Sequence, residues 1–225
     1  MLGHPSAFLC MIRFLDVYDH LQEVFVIPIL RFYVILLYLI SAPINTLVDK
    51  GHALPSWYSP GANQEAQEAL DRFIESTGYF VDVQSDFRSY RNQEEAYNRL
   101  VSKEGQEQAD HVIAKPGHSE HQLGTTFDIS WAGLPVEFRD PRNEALWQAI
   151  EEHAHEFGFV ISYPYKQISE WPYDNSWYPI ITEFRWEPWH IRYVGIDLAT
   201  EIFNSGYLDP ASPVLPQDFY EPWLE

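Results

Sequence analysis

The stretch from Lys115 to Ser130 constrains the fold of this chain more than any other. Its sequence is Lys-Pro-Gly-His-Ser-Glu-His-Gln-Leu-Gly-Thr-Thr-Phe-Asp-Ile-Ser, which sets an imidazole, His121, seven positions before a carboxylate, Asp128. Gly124 lies between them and allows the chain to turn. Residues 125–130 then have the pattern of a β-strand that carries Asp128. An imidazole and a carboxylate together suit a borderline divalent cation, above all zinc.

A second motif, Trp-Glu-Pro-Trp-His-Ile-Arg-Tyr, ends at Tyr193 and offers a third ligand, His190. Three protein ligands are the usual number for a catalytic zinc ion. Glu187 precedes His190 by three residues and is a candidate general base. Pro188 disfavours helix at Glu187, and positions i and i+3 of a regular strand face opposite sides. The two residues can therefore share a site only if the chain bends at Pro188 and Trp189.

Composition limits the classes of partner and of metal site. The chain has 225 residues, of which 46% are hydrophobic, so it can form one domain with a real core and appendages. Its formal net charge of -19 argues against a nucleic-acid partner, because a phosphate backbone requires a basic face. Cys10 is the single cysteine. An intrachain disulfide and a cysteine-based zinc site are therefore excluded, and any metal must be held by histidines and carboxylates.

The first part of the chain differs from the rest. Residues 24–40 are almost unbroken apolar sequence, interrupted by Pro28 and Arg31. The length of this run is close to the roughly 20 residues that a membrane span requires. A signal peptide, an uncleaved membrane anchor and a core helix remain open as interpretations. Our preferred hypothesis is export, with or without retention at the membrane through residues 24–44.

From Leu47 onward the sequence has the character of a globular domain. The pattern predicts helices at 63–77, about 92–103, 141–157 and 196–204, strands at 79–84, 125–130, 159–163 and 190–194, and a polar loop up to residue 112. Helices and strands do not alternate regularly, so an α+β fold is favoured over a doubly wound sheet. We divide the chain into a hydrophobic leader (1–45), a catalytic domain (46–208) and a Pro-rich acidic tail (209–225).

Each motif is weak when it is taken alone. A histidine and an aspartate at this spacing occur often by chance, and His118 could replace His121 as a ligand. Arg88 is our candidate for stabilising a developing oxyanion, although an arginine is by default a surface ion-pair residue. Only the joint occurrence of the motifs is specific.

Three segments together carry such a joint pattern: Phe87-Arg-Ser-Tyr-Arg91, Pro116-Gly-His-Ser-Glu-His-Gln-Leu-Gly-Thr-Thr-Phe-Asp128 and Glu187-Pro-Trp-His-Ile-Arg-Tyr193. In order and spacing they resemble the VanY-type D-alanyl-D-alanine carboxypeptidases. This family belongs to the LAS group of zinc peptidases, whose pattern is Ser-x-His-x-x-Gly-x-Ala-x-Asp followed by Glu-x-x-His. The resemblance extends over about residues 47–207.

The resemblance implies an α+β fold of the LAS or hedgehog peptidase type, in which a small antiparallel sheet with flanking helices holds one zinc ion per chain in a cleft. It implies that His121, Asp128 and His190 are the zinc ligands. It also implies that Glu187 is the catalytic base.

The same resemblance implies three substrate contacts. Arg88 is expected to contact both the substrate and the transition state, and Gln93 to reach the cleft. Ser119 is expected to hydrogen-bond the peptide, with capping of a loop as the alternative. Two positions depart from the family pattern: Thr126 stands where the pattern has Ala, and Ser162 where relatives often have Arg.

The implied function is that of an exported or membrane-anchored bacterial carboxypeptidase that removes C-terminal D-alanine from peptidoglycan stem peptides. The resemblance also favours a monomer. An L,D-carboxypeptidase, a cell-wall endopeptidase and a non-catalytic, zinc-containing wall-binding module remain alternatives. Glu187 favours catalysis, because a binding module has no need of a base there. The loop 166–186, which is long and aromatic, is expected to form part of the substrate wall.

Overall fold

A computed structural model of the chain describes residues 41–166, 184 and 186–223. The apolar run of the leader and most of the aromatic loop 166–186 lie outside these residues, so their assigned roles stay predictions. Within the described residues, no helix combines the length and the apolar character that a membrane span requires. Pro43–Glu225 forms one compact unit.

The described part of this unit contains five α-helices, four strands and three short 3-10 helices. In chain order the helices and strands are α1 (Gln64–Thr77), β1 (Val81–Ser85), α2 (Tyr90–Glu104), α3 (Gln106–Val112), β2 (Thr126–Trp131), α4 (Pro141–His153), β3 (Phe159–Ile161), β4 (His190–Tyr193) and α5 (Ile196–Asn204). The 3-10 helices are Glu120–Leu123, Ala154–Phe157 and Pro216–Phe219.

The four strands form one antiparallel sheet in the order β1-β2-β4-β3. Side chains alternate across the two central strands, as the period of two requires. Phe127, Ile129 and Ile191 point into a core that also contains Leu70 and Phe73 of α1. The intervening residues of β2 and β4 face the opposite side of the sheet. The predicted α+β class, with a small antiparallel sheet and flanking helices, is confirmed.

Helix α1 shows why some boundaries could be predicted. The side chain of Asn63 accepts a hydrogen bond from the backbone N–H of Ala66, and Gly78 ends the helix in the left-handed conformation. Both ends are therefore fixed by local capping chemistry.

The polar loop predicted up to residue 112 is wrong, because Gln106–Val112 is helix α3. The segment lacks an apolar stripe, but Ala109 is fully buried and the Tyr97 hydroxyl of α2 donates to Asp110 at 2.5 Å. Packing against α2 thus stabilises a helix that the local sequence pattern does not predict.

Residues of the acidic tail pack on the domain. The backbone N–H of Leu47 donates to the carbonyl oxygen of Glu221, and the N–H of Glu221 donates to that of Asn45, at 2.7 and 2.9 Å. Tyr220 is buried against the guanidinium of Arg192, 4.1 Å from its ring centroid. The two ends of the described domain are therefore joined to each other and to β4.

The turn at Gly124 gives a testable prediction about the fold. Gly124 and Gly133 both have a positive φ, but an added Cβ would lie 2.0 Å from the Gly61 carbonyl oxygen at position 124 and would meet nothing within 4 Å at position 133. Gly133→Ala should lower the free energy of unfolding by about 1–2 kcal/mol, the strain of a left-handed residue. Gly124→Ala should lower it by about 1–3 kcal/mol more, because the clash is with backbone. Urea unfolding followed by tryptophan fluorescence measures both, and equal losses would contradict the role of the close approach.

Candidate active site

The pairing of β2 with β4 places Asp128 directly opposite His190. His121 comes from the 3-10 helix that ends at Gly124, just before β2. One carboxylate oxygen of Asp128 (Oδ2) lies 3.1 Å from Nε2 of His121, and the other (Oδ1) lies 3.0 Å from Nδ1 of His190. The three residues selected from the sequence as ligands thus converge at one point.

This group fits a metal ion. One ligand atom from each of His121, Asp128 and His190 can be chosen so that all three lie within 4.8 Å of one another. Nδ1 of His121 donates to the carbonyl oxygen of Asp86 at 2.7 Å, and Nε2 of His190 lies 3.0 Å from Oε2 of Glu120. Because those nitrogens are engaged, Nε2 of His121 and Nδ1 of His190 are the ones that face Asp128. Two imidazoles and a carboxylate are a donor set that suits zinc.

Glu120 lies against the candidate ligand His190, a contact that the sequence pattern did not predict. Its side chain is fully buried, with Oε2 on His190 and Oε1 accepting from Arg192 at 2.9 Å. Burial alone would raise the pKa of Glu120, but Arg192 and His190 lower it to about 2. The carboxylate is therefore charged, and its contact with Nε2 of His190 fixes the orientation of that ring. The sequence held one indication of this contact. Arg192 follows His190 by two residues on a strand, so the side chains of the two residues that Glu120 contacts share a face.

The charges around the imidazoles favour a cation. Burial would raise the pKa of Asp128, but His121 and His190 bring it well below its usual range. Burial would lower the pKa of His190, yet Asp128 and Glu120 raise it to about 10. His190 thus lies between two carboxylates, which favour a positive charge at this imidazole, either a proton or a bound metal cation.

The bend at Pro188 and Trp189, which Glu187 and His190 require in order to share a site, is present. The backbone N–H of His190 donates to the carbonyl oxygen of Glu187 at 3.0 Å, which closes a turn across these two residues. Trp189 is buried in the core. A hydrogen bond from the backbone N–H of Glu187 to the carbonyl oxygen of Tyr163, at 3.1 Å, also holds the turn in place. Oε2 of Glu187 consequently lies 3.8 Å from Nδ1 of His190.

Arg88 is positioned by a network of its own. Its guanidinium donates to Oε1 of Gln93 at 2.9 Å and to Oγ of Ser85 at 2.6 Å, and its backbone N–H donates to the carbonyl of His121. Gln93 is fully buried and donates in turn to the carbonyl of Ala114. In this arrangement Gln93 fixes the direction in which Arg88 points.

Burial lowers the pKa of Arg88, while the carboxylates of Asp128 and Glu187 oppose this change. A guanidinium keeps its proton under all ordinary conditions. Arg88 therefore brings a partly buried positive charge to the carboxylates of the site.

The candidate ligands, Glu187 and Arg88 open onto one cleft of about 250 Å³. Its lining includes the three candidate ligands, the candidate base and the three candidate substrate contacts from the sequence, together with Glu120 and Tyr163: Arg88, Gln93, Ser119, Glu120, His121, Asp128, Tyr163, Glu187 and His190. Burial raises the pKa of Tyr163 well above its usual value, so the phenol is neutral and its ring packs 4.9 Å from that of His190. The site is thus a polar cleft with one aromatic wall.

The structure also locates three further residues that were named from the sequence, Ser119, His118 and Ser162. Ser119 precedes the 3-10 helix but makes no side-chain capping bond, so the capping alternative gains no support. His118 donates from Nδ1 to the Asp49 carbonyl at 2.7 Å and stands outside the group of ligands. Ser162 is fully buried and does not line the cleft.

Comparison with known proteins identifies the family of the chain. The model of the family described as VanY, D-alanyl-D-alanine carboxypeptidase, matches residues 60–196. A D-alanyl-D-alanine carboxypeptidase of Enterococcus faecalis (strain ATCC 700802 / V583) is 32% identical over 138 residues, which is 57% of this chain and 46% of that protein. The chain spans less than two thirds of the length of the first curated relatives that it matches.

Solved structures show the same fold. The LdcB LD-carboxypeptidase superposes with a TM-score of 0.62 at 27% identity, covering 80% of this chain and 87% of that one. A mutant of the vancomycin-resistance D,D-pentapeptidase VanY, in complex with Zn(II), gives a TM-score of 0.58 at 25% identity and covers 77% and 96%. The family match extends over more than half of the chain, and this protein therefore belongs to the VanY D-alanyl-D-alanine carboxypeptidase family.

Proposed function

We propose that this protein is a zinc-dependent carboxypeptidase that removes C-terminal D-alanine from peptidoglycan stem peptides. The proposal rests on one observation: His121, Asp128 and His190 converge in a cleft that also holds Glu187. The zinc complex of a VanY structure and the relative named D-alanyl-D-alanine carboxypeptidase support it.

In this proposal His121, Asp128 and His190 hold one zinc ion. Zinc supplies a Lewis acid, which lowers the pKa of water to about 7 and polarises a carbonyl. Glu120 and the Asp86 carbonyl orient the two imidazoles. Such supporting contacts fix the ring orientation and increase metal affinity.

Glu187 is the proposed general base. Its carboxylate lies beside His190 at the cleft, where it can take a proton from the attacking water and deliver it to the leaving amine. The turn at Pro188 sets this position, so the base is held by backbone rather than by a long flexible segment.

Arg88 is the proposed partner of negative charge on the substrate. A fixed donor aimed at a developing oxyanion stabilises the transition state more than the ground state. The bonds from Arg88 to Gln93 and Ser85 keep its guanidinium in place before substrate arrives. Ser119 lines the same cleft and is proposed to hydrogen-bond the peptide.

An L,D-carboxypeptidase is the second candidate. The LdcB LD-carboxypeptidase gives a TM-score of 0.62, against 0.58 for the D,D-pentapeptidase VanY. The two activities differ in which bond of the stem peptide is cut, and the catalytic groups described above serve either. Because the substrate is part of the cell wall, we also propose export, with residues 1–45 as the leader, and action as a monomer.

The first prediction concerns the substrate. The zinc-loaded full chain should remove one alanine from a synthetic stem pentapeptide and leave the tetrapeptide intact, and a chelator should stop the reaction. Mass spectrometry identifies the product. Cleavage of the tetrapeptide alone would move the assignment to L,D-specificity. If zinc is bound and neither peptide changes, an endopeptidase or a wall-binding module takes the place of the proposal.

A second prediction separates the base from the ligands. Glu187→Gln should lower kcat by about 100- to 10,000-fold, the usual contribution of a general base, while bound zinc stays at one equivalent. Asp128→Ala should instead lose zinc, because it removes one of three ligands. Metal analysis and peptide hydrolysis report the two effects. Full turnover by Glu187→Gln, or wild-type zinc content in Asp128→Ala, would contradict the assigned roles.

A third prediction tests the contact behind His190. Glu120→Gln keeps an acceptor of similar shape but removes the charge, so zinc affinity should fall by about 10- to 100-fold. Competition with a chromogenic chelator measures this affinity, and circular dichroism checks that the fold is retained. Glu137→Gln is the matched control, since Glu137 also lines the cleft but is not part of the ligand group. Equal affinities for the two variants would argue against orientation of His190 by Glu120.

A further inference from the structure

Arg192 carries a guanidinium whose contacts extend from the ligand group to the first residues of the domain. Its side chain is fully buried, and Nη1 donates to Oε1 of Glu120 at 2.9 Å. Nη2 donates to the carbonyl oxygens of Ile44 and Thr46 at 3.0 and 2.7 Å. Because a guanidinium directs its donors within its own plane, these hydrogen bonds fix its position in that plane but resist tilting only weakly.

The ring of Tyr220 covers one face of this guanidinium. Cζ of Arg192 lies 4.1 Å from the ring centroid, a distance at which the face of an aromatic ring attracts a cation. Burial raises the pKa of Tyr220, so the phenol is neutral. Among the described residues, the buried hydroxyl of Tyr220 has no hydrogen-bond partner. The ring, and not the hydroxyl, therefore makes the contact with Arg192.

The backbone that carries this ring is joined to an acceptor of Arg192. Tyr220 directly precedes Glu221, which pairs with Thr46 in a parallel β-bridge. The carbonyl of Thr46 is the nearer of the two backbone acceptors of Nη2. The backbone N–H of Tyr220 also donates to the carbonyl of Gln217 at 3.2 Å, at the end of the last 3-10 helix. The ring and the acceptor thus belong to one hydrogen-bonded unit.

A series of contacts connects this unit with the candidate ligand His190. Arg192 holds Oε1 of Glu120, and Oε2 of the same carboxylate lies 3.0 Å from Nε2 of His190. A tilt of the guanidinium would move this carboxylate and, with it, the support of the imidazole. Tyr220 does not line the cleft, so it can act on His190 only through the residues between them.

We propose that Tyr220 is a positioning residue of the metal site, whose ring sets the tilt of Arg192 and, through Glu120, the orientation of His190. The inference rests on the proposed function, because it requires His190 to be a zinc ligand. Groups that orient a metal-binding imidazole change the affinity for the metal without touching it. The segment 209–225, which the sequence marks as an acidic tail, then forms part of the catalytic unit.

The test separates orientation from packing, because Tyr220 also belongs to the hydrophobic core. Tyr220→Leu and Tyr220→Met remove the ring but keep an apolar side chain, whereas Tyr220→Phe removes only the hydroxyl. Phe73→Leu is the matched control, since it exchanges a fully buried core ring for leucine on α1. Competition with a chromogenic chelator measures zinc affinity of the full chain, and urea unfolding measures stability.

Tyr220→Leu and Tyr220→Met should weaken zinc binding about threefold to tenfold, less than Glu120→Gln, because they disturb the carboxylate without removing its charge. Tyr220→Phe should keep the wild-type affinity. Phe73→Leu should keep it as well, although it lowers stability. Unchanged zinc affinity in a folded variant without the ring, or an equal loss in Phe73→Leu, would overturn the proposal.

A double-mutant cycle tests the route of the effect. If Tyr220 acts through Glu120, Tyr220→Leu should cost no further zinc affinity in a chain that already carries Glu120→Gln. Multiplication of the two separate losses in the double variant would mean that Tyr220 acts by another route, and would contradict the proposal.

Hydrolysis of stem peptides distinguishes this inference from the proposed function. If the wild-type chain binds zinc and cleaves no peptide, but Tyr220→Leu lowers zinc affinity as described, the proposed function fails and the positioning role stands. If a peptide is cleaved and Tyr220→Leu matches the wild type in zinc affinity and in kcat, the positioning role fails and the proposed function stands.

Discussion

The antiparallel pairing of β2 with β4 is the constraint on which the site depends. It sets Asp128 opposite His190, and the alternation of side chains then puts Phe127 and Ile191 into the core. A slip of one residue in either strand would exchange the two faces, placing an imidazole or a carboxylate in the apolar core and an isoleucine at the site. The apolar core and the polar site are therefore two consequences of one register, and the energy that buries the core also holds the ligands together.

A buried ion pair, formed by Glu120 and Arg192, supports the position of His190. Taking two charges out of water is costly, and such a pair seldom stabilises a fold by itself. Here most of the polar atoms are satisfied: Glu120 contacts His190, and Arg192 donates to the carbonyls of Ile44 and Thr46. The pair is better explained by orientation than by stability, because it holds an imidazole at the site by means of groups that are themselves fixed.

Local sequence was informative wherever local chemistry decides the structure. The helix that begins near residue 63 and the strand that carries Asp128 were predicted, and the bend at Pro188 was identified as the condition for a shared site, because each depends on neighbours in the chain. Helix α3 and the burial of Glu120 were not. Both depend on distant contacts, and a glutamate in a polar motif is by default expected at the surface.

Arg192 also reaches beyond the site. Its second guanidinium nitrogen bonds the carbonyls of Ile44 and Thr46, and its face packs against Tyr220, so one side chain connects β4 with both ends of the described domain. These contacts limit where a protease could cut the chain without destabilising the domain. A cut directly after residue 45 would remove Ile44 and leave a buried arginine short of an acceptor, whereas a cut upstream of Ile44 would spare that bond. The groups that support His190 thus also define the shortest N-terminal boundary that keeps every partner of Arg192.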